Sequence, residues 1–445
     1  MFTDNKMKDI LLITWHGIHE LEIFPGLPDT GGQNIYVQNM AEVLHDNYDA
    51  RVTILNRGGF SHPYTERIRE GYSKDPEREL YVLHVADEVP AFMRKEFLTG
   101  ALIEQASENV VAQLPRDYSP DLIISHFWDG GLMALFLQRT FTKVPHVWVP
   151  HEPVGMKMAP LPDTHHERHS IPARERFERM IVNSADAIGS TSKLVREDLI
   201  RSYDGKIHDK IIDIYPGVDT ERFRPFDEDQ LDGACIRHCA EFLNLPEEIF
   251  RKPHICEFGR SDSLKEKDKA VAAFAEIAQE FEDYVMFMNL DEQMEPGTAQ
   301  RIHGIIDQHK LEDRVFILSP QQLPQSGNGS EIMPDLLRTA RIFITMSVME
   351  GFGMAACEAA ACGVPVVGTE AIPVVTDILV PHDGGKVVAG GDVPAAADAL
   401  REILGMGEED YRRLSRNAYD SVIPKYRWDT IIKDMFRDLK QLSVV

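Results

Sequence analysis

The feature that most restricts this chain is an alternation running along almost all of it: short β-branched and aromatic runs, each followed by a stretch of helical periodicity. In the first half, Ile10–Trp15, Val52–Asn56, Tyr81–Ala86, Leu122–His126, Val147–Pro150, Ala187–Thr191 and Ile211–Tyr215 read as strands. Between them Leu98, Leu102, Ala106, Val110 and Leu114 recur every fourth residue and form one apolar stripe, and Ile171–Ala185 carries its charges on one face. A second series places strands at Ile255–Phe258, Val285–Leu290, Val315–Leu318, Ile342–Met346 and Val364–Gly368, with helices at about 267–281, 298–310, 353–362 and 394–404. Alternation of this kind builds parallel sheets covered by helices on both faces.

The segment Pro216–Pro253 breaks the pattern with Pro-rich and acidic stretches, FRPFDEDQLDG and NLPEEIFRKP, so the connection between two domains is expected there. The predicted division is a first Rossmann-like domain over 1–225, a second over 226–426, and a last amphipathic helix in 427–445 that packs back across both. Two doubly wound parallel-sheet domains of this α/β class turn the carboxyl ends of their strands toward one deep cleft, and ligands bind at such ends.

With 445 residues, 43% of them hydrophobic, the chain can fill two ordinary cores. A formal net charge of −25 and no cluster of Lys and Arg exclude a nucleic-acid binder, because phosphate backbones are held by concentrated positive charge. A small phosphate-bearing substrate needs only a local positive pocket. The apolar run before His16 is too short for a signal peptide or a membrane span, and five cysteines spread over the chain form no disulfide framework. A cytoplasmic protein is expected, able to assemble as a homo-oligomer.

Three motifs carry chemistry. Pro28-Asp29-Thr30-Gly31-Gly32-Gln33 lies between the first strand and a helix, where paired glycines let backbone approach a ligand and helix-terminal amides attract phosphate; the same pair also makes a plain turn. Arg260 and Lys265 follow the first strand of the second domain and can neutralise a departing diphosphate; the bland reading is a solvated basic pair, with Lys267 and Lys269 beside it. The third is Ser347-Val348-Met349-Glu350-Gly351-Phe352-Gly353-Met354-Ala355-Ala356-Cys357-Glu358. Here a glycine turn starts a small-residue helix whose first amides, at Gly353, Met354 and Ala355, can hold phosphate. Glu350 before the helix and Glu358 two turns into it can accept hydrogen bonds from sugar and ribose hydroxyls. A glycosidase-like acid and nucleophile pair fits less well, because such carboxylates face across a sugar from separate elements.

These residues resemble a known family. EGFGMAACE, the GR-x4-K spacing and PGVDTERFRP (Pro216–Pro225) look like the GT-B retaining glycosyltransferases of family 4, over residues 9–442. DTGGQ, AFMRKE and FWD are most similar to the sucrose-phosphate synthase and mannosylfructose-phosphate synthase branch. The resemblance implies an acceptor-binding first domain and a donor-binding second domain. It implies that Gly31 and Gly32 approach donor phosphate or acceptor, that Arg260 and Lys265 bind the diphosphate, and that Glu350 contacts the transferred hexose and Glu358 the nucleotide ribose. Phe352 belongs to the same donor site. His151, after a strand, matches the histidine that touches the donor sugar, although a lone histidine there is more often structural. Gln33, Lys95, Lys157, Arg174 and Arg176 fall where relatives hold the acceptor, the basic ones being candidates for an acceptor phosphate.

The implied substrates are small sugars: a UDP-, GDP- or ADP-hexose donor carrying glucose or mannose, and a sugar, sugar-phosphate, polyol or glycerate acceptor. No tightly bound cofactor is implied, and Mg2+ can assist without being required by the fold. The chain departs from the pattern at Met288-Asn289-Leu290-Asp291-Glu292-Gln293, where relatives are glycine-rich, and at Val154-Gly155-Met156, where they carry Leu-Gly-Arg. Two clusters with metal-like composition, Cys235/His238/Cys239 with His254 and Cys256, and His165/His166/His169, lack a standard ligand pattern, so no metal site is expected. The competing readings are an α-glycoside phosphorylase of the same fold and a non-catalytic sugar-nucleotide sensor.

Overall fold

The computed structural model describes residues 8–21, 23, 29–61, 70–158, 166–203, 205–225, 233–293, 295–324 and 330–445, with the side chains of 157, 158, 166, 167, 205 and 206 left aside. The described chain forms two compact units, one containing the residues up to Pro216 together with Trp428–Val445, the other Gly217–Arg427.

The first unit is built on eight strands: β1 (Lys8–Ile13), β2 (Ala50–Gly58), β3 (Gly71–Lys74), β4 (Leu80–Ala86), β5 (Leu122–His126), β6 (His146–Val149), β7 (Ala187–Ser190) and β8 (Ile211–Asp213). Their order is β3-β4-β2-β1-β5-β6-β7-β8, parallel except for the β3–β4 pair. In β1, Leu11 and Ile13 enter the core on one face of the sheet, while Ile10 and Leu12 enter the core on the other. The first face is covered by helices including Gly100–Gln113, Phe127–Leu137 and Ile171–Ser184, the second by Gly32–Tyr48 and Trp428–Gln441. The last helix packs along Gly32–Tyr48 and β8, with buried Trp428 edge-on to Tyr36 at 4.9 Å.

The second unit has a six-stranded parallel sheet of β9 (His254–Glu257), β10 (Val285–Asn289), β11 (Val315–Leu318), β12 (Ile342–Thr345), β13 (Val366–Thr369) and β14 (Gly385–Val388), ordered β11-β10-β9-β12-β13-β14. Chain order reverses direction beside β9 here and beside β1 in the first unit. At such a reversal the loops leaving two neighbouring strands diverge to opposite faces and open a crevice at the strands' carboxyl ends.

Several expectations shift. The segment read as a connection is instead part of the second unit over Gly217–Pro225 and Gly233–Pro253, and includes the helices Ala234–Leu243 and Glu247–Phe250; the chain passes between units at Pro216 and again at Arg427. In NLPEEIFRKP the polar residues lie mostly at the surface around the helix Glu247–Phe250, while 226–232 of the acidic stretch lie outside the described residues. Two edge strands, β3 and β14, escape pattern reading, GYSK because it is polar and mostly exposed, GKVV because only two of its four residues are buried.

Trp428 is 4% exposed and closes the core beside Tyr36. Trp428→Ala is expected to lower the unfolding free energy by about 3 kcal/mol or more, the usual cost of deleting a buried Trp. Urea titration checks this, and a loss under about 1 kcal/mol would show that the final helix adds little to the first unit.

Candidate functional site

In the first unit the chain leaves β1 through Thr14, Trp15 and His16 and turns at Gly17. Its φ is +76°, and a Cβ there would stand 2.4 Å from the Asp29 carbonyl oxygen, so the turn has room only for glycine. The DTGGQ turn is fastened to this strand end. Ile18 N–H donates to Thr30 Oγ1 at 2.9 Å, Gln33 Nε2 donates to Thr14 Oγ1 at 2.9 Å, and Gly31 N–H donates to Asn34 Oδ1 at 3.1 Å. Gly31 and Gly32 therefore start the helix Gly32–Tyr48 at the β1 carboxyl end, with Gly32 exposed and the Asn34 N–H already donating to the Gly31 carbonyl at 2.9 Å, so that the amides of Gly32 and Gln33 lead the helix. Gln33 serves to brace the turn in this state.

Across the reversal point, His16 Nδ1 sits 2.9 and 3.0 Å from the two oxygens of Asp129, which is fully buried in the first turn of Phe127–Leu137. FWD thus supplies a carboxylate that orients His16, a pairing no spacing in the sequence reveals. His151 follows β6 with φ +57°. Its ring packs against Tyr36 at 4.9 Å and stacks on His126 at 5.3 Å, with Nε2 3.1 Å from His126 Nδ1. Part of the residue stays exposed, yet the protein around the ring lowers its pKa to about 3, chiefly by desolvation, with Glu152 opposing and His16 adding to the fall. Two neutral imidazoles can share the contact, one donating and one accepting.

The four basic acceptor candidates have different surroundings. Lys95 is buried, its ammonium 2.7 Å from Asp29 and 2.9 Å from Glu96, with its backbone N–H on the other Asp29 oxygen. Burial alone would raise the Asp29 carboxyl, but the Lys95 charge and its hydrogen bonds hold it well below the usual range. Arg174 is 4% exposed, lies over the Phe127 ring at 4.2 Å, donates to Glu178 at 2.6 Å and also bonds the Glu152 carbonyl, so in this state its donors serve the protein. Arg176 is exposed on the same helix, Ile171–Ser184. Lys157 lies in the helix Val154–Met158, its side chain outside the described residues. In that helix Met156 enters the hydrophobic core, so the position where the family resemblance implies an arginine is apolar and inward-facing here. His165 likewise lies outside the described residues.

In the second unit, the loops that leave β9 and β12, neighbours in the sheet, meet at the reversal point. Val348 N–H donates to the Leu264 carbonyl at 2.9 Å, and Lys265 Nζ lies 2.5 Å from Glu350 Oε1, which also accepts from Ser347 Oγ at 3.1 Å. Arg260 is held 3.0 Å from Asp262 and remains partly exposed. Gly353 has φ +103°, and a Cβ there would come within 2.6 Å of Ile372, so the turn into the helix Met354–Ala361 needs glycine. Phe352 is buried and faces Tyr426 at 5.7 Å, and the first-turn amides of Met354 and Ala355 follow at once. Lys265 and Glu350 thus meet where the loops after β9 and β12 come together, ahead of this helix start, with Arg260 in the loop that leaves β9.

Glu358 lies in the second turn, 7% exposed. Burial lifts its pKa from the ordinary 4.5 to about 7, with the Arg222 charge opposing and Asp219 reinforcing the rise. Arg222 and Asp219 come from PGVDTERFRP, which gives that motif a physical role at this carboxylate. Lys267, which the bland reading set beside a solvated basic pair, is fully buried, 2.6 Å from Glu257 and 3.1 Å from Asn289. The Cys/His cluster is structural: Cys235, Cys239 and Cys256 are buried and unbridged, His238 pairs with Asp335 at 3.1 Å, and His254 lies 2.9 Å from the Leu336 carbonyl oxygen. Among the described residues no three His, Cys, Asp or Glu are placed to hold a metal ion, and no helix is long and apolar enough to cross a membrane.

Comparison with known proteins finds matches to both units. The model for glycosyltransferase family 4 matches residues 30–222, and that for glycosyl transferases group 1 matches 247–421. A probable sucrose-phosphate synthase of Thermosipho melanesiensis is 24% identical over 94% of this chain and 92% of its own length; a D-inositol 3-phosphate glycosyltransferase of Xylanimonas cellulosilytica is 28% identical over 87% and 86%. Among solved structures, the sucrose-phosphate synthase of Thermosynechococcus elongatus has a TM-score of 0.79 at 22% identity, covering 98% of this chain and 99% of that one. Anabaena Alr3699/HepE in complex with UDP and glucose has a TM-score of 0.68 at 16% identity, covering 98% and 100%. Two doubly wound units with these strand-end loops are the two halves of a GT-B transferase. The chain belongs to the GT-B glycosyltransferases of the family 4 type and is a hexosyltransferase.

The Glu358 carboxyl binds its proton more tightly folded than unfolded. Its contribution to stability is therefore full below about pH 4.5 and is lost as pH rises to about 7. Glu358→Gln keeps the neutral form, so the variant should gain on wild type by on the order of 1–3 kcal/mol above pH 7 and by little near pH 4. Urea unfolding of both proteins at the two pH values tests this; an equal offset at both would show that Glu358 folds without a raised pKa.

Proposed function

We propose that this enzyme transfers glucose or mannose, with retained configuration, from a nucleoside-diphosphate sugar to a sugar, sugar-phosphate or small polyol acceptor in the cytoplasm. The observation that carries the reading is the Lys265–Glu350 contact of 2.5 Å, with Arg260 on the same loop after β9, where the loops leaving β9 and β12 meet ahead of the helix Met354–Ala361. Two cations and a set of aligned amides suit a leaving diphosphate, whose charge grows as the glycosidic bond breaks, so they act most strongly in the transition state. Glu350 keeps Lys265 in place before the donor arrives and offers an acceptor to a hexose hydroxyl, while Glu358, close to half neutral near pH 7, can donate to or accept from ribose hydroxyls. UDP is the first base to test, because HepE was solved with it.

The first unit supplies the acceptor side of this reading, with Gly31, Gly32 and Gln33 at the β1 strand end and His151 after β6. Lys157 and Arg176 are the cations assigned to an acceptor phosphate, and the named relatives both handle phosphorylated sugars or polyols. Lys95 joins them if a phosphate displaces its carboxylate partners. Arg174 instead holds the His151–Glu152 turn through the Glu152 carbonyl. On the acceptor's reacting face the leaving diphosphate takes up the hydroxyl proton, so no protein carboxylate is needed as nucleophile.

A thermal-shift panel of UDP-, GDP- and ADP-sugars, their free diphosphates and inorganic phosphate tests the donor. A ligand at a hundredfold excess over its Kd adds roughly 3 kcal/mol to stability, so one nucleotide series should stand out. A response to inorganic phosphate with none to any nucleotide overturns the reading in favour of a phosphorylase. With the donor known, Glu350→Ala is expected to cut kcat by about a hundredfold or more at unchanged Tm, whereas Arg174→Ala should lower Tm first.

A further inference from the structure

The stretch Met288–Gln293 does more than end a strand. The β9–β10 ladder stops at Met288 opposite Glu257. Just past it the Asn289 carboxamide closes a ring with the backbone of Gly259: Gly259 N–H donates to Oδ1 at 2.9 Å, and Nδ2 donates to the Gly259 carbonyl at 2.9 Å. Two residues on, Asp291 N–H donates to Ser261 Oγ at 2.7 Å. Arg260 is therefore the one residue between two clamped neighbours.

A carboxamide can bind a peptide group in either of two flips, and only one matches Gly259 here. Lys267 selects it. An ammonium donates and never accepts, so its 3.1 Å contact with Asn289 requires oxygen at that position, which fixes Nδ2 toward the Gly259 carbonyl. Lys267 is fully buried, and an unpaired charge there would be costly; Glu257, itself 1% exposed, lies 2.6 Å away and compensates it. A buried ion pair is a poor source of stability compared with apolar packing, and its place against the Asn289 carboxamide that clamps Gly259 points to orientation instead.

We propose that Asn289, oriented by the Lys267–Glu257 pair, is a positioning residue that sets the Gly259–Arg260 loop for the donor diphosphate. This rests on the reading that Arg260 binds that diphosphate, and the test separates the two. Asn289→Asp keeps an oxygen for Lys267 and for the Gly259 N–H but removes the one donor to the Gly259 carbonyl. UDP, GDP and ADP are titrated in parallel, by calorimetry, into wild type, Asn289→Asp, Arg260→Ala and the double variant. Asn289→Asp should weaken the bound nucleotide about tenfold, with a larger effect on donor KM than on kcat, and should have no further effect once Arg260 is gone. Ser261→Ala, which loosens the other clamp, should weaken binding in the same sense with little change in Tm, and it carries the test if Asn289→Asp does not fold. Equal losses from Asn289→Asp with and without Arg260, or no loss from either clamp variant, would overturn the positioning role. No effect of Arg260→Ala, or no binding of any nucleotide by wild type, would remove the underlying reading instead.

Discussion

Everything functional in this molecule depends on one constraint of parallel sheets: the loops that leave neighbouring strands at a reversal of chain order are pushed to opposite faces, and backbone groups at the strand ends are left to be satisfied by something other than the ladder. In the second unit that need is met by the Asn289 carboxamide on Gly259 and by Leu264 accepting from Val348, which bring Lys265 to 2.5 Å from Glu350. In the first unit it is met by Asn34, Thr30 and Gln33 around the DTGGQ turn. Fold and site are thus one arrangement: the same bonds that finish the strands aim the charged groups.

Charge is handled differently at the surface and inside. In a chain with a formal charge of −25, several candidate cations are paired with nearby carboxylates, Lys95 with Asp29 and Glu96, Arg260 with Asp262, Lys265 with Glu350, Arg174 with Glu178. A partly exposed pair such as Arg260–Asp262 has a modest net energy and can be exchanged for a substrate phosphate. A pair as buried as Arg174–Glu178 cannot be opened without leaving a charge uncompensated, which favours a structural part for Arg174.

Much of the architecture was legible in the sequence, because strand and helix periods are local properties. Leu122–His126 and Val315–Leu318 are strands over the very residues the pattern picks out, and the helix beginning after Gly353 follows from a glycine that only a positive φ can use. Of the candidate site, what contiguous motifs offered was a set of residues: Lys265 of GR-x4-K does lie against Glu350 of EGFGMAACE. What spacing could not disclose were pairs separated by a hundred residues or more, such as His16 with Asp129, or by a change of element, such as Lys267 with Glu257.

By itself, then, the sequence determined two series of βα units, their strand-end motifs and the residue types available for phosphate and sugar, since each depends on periods and turns within a few residues. Only the tertiary structure decided which cations remain accessible and which are buried. It made Arg176 a surface group and Lys267 a core one, moved Met156 into the apolar interior, placed Arg222 near enough to Glu358 to act on its titration, and set the helix Trp428–Gln441 on the first unit. The physical reason is that desolvation and Coulomb energy depend on distances through space, which chain separation does not encode.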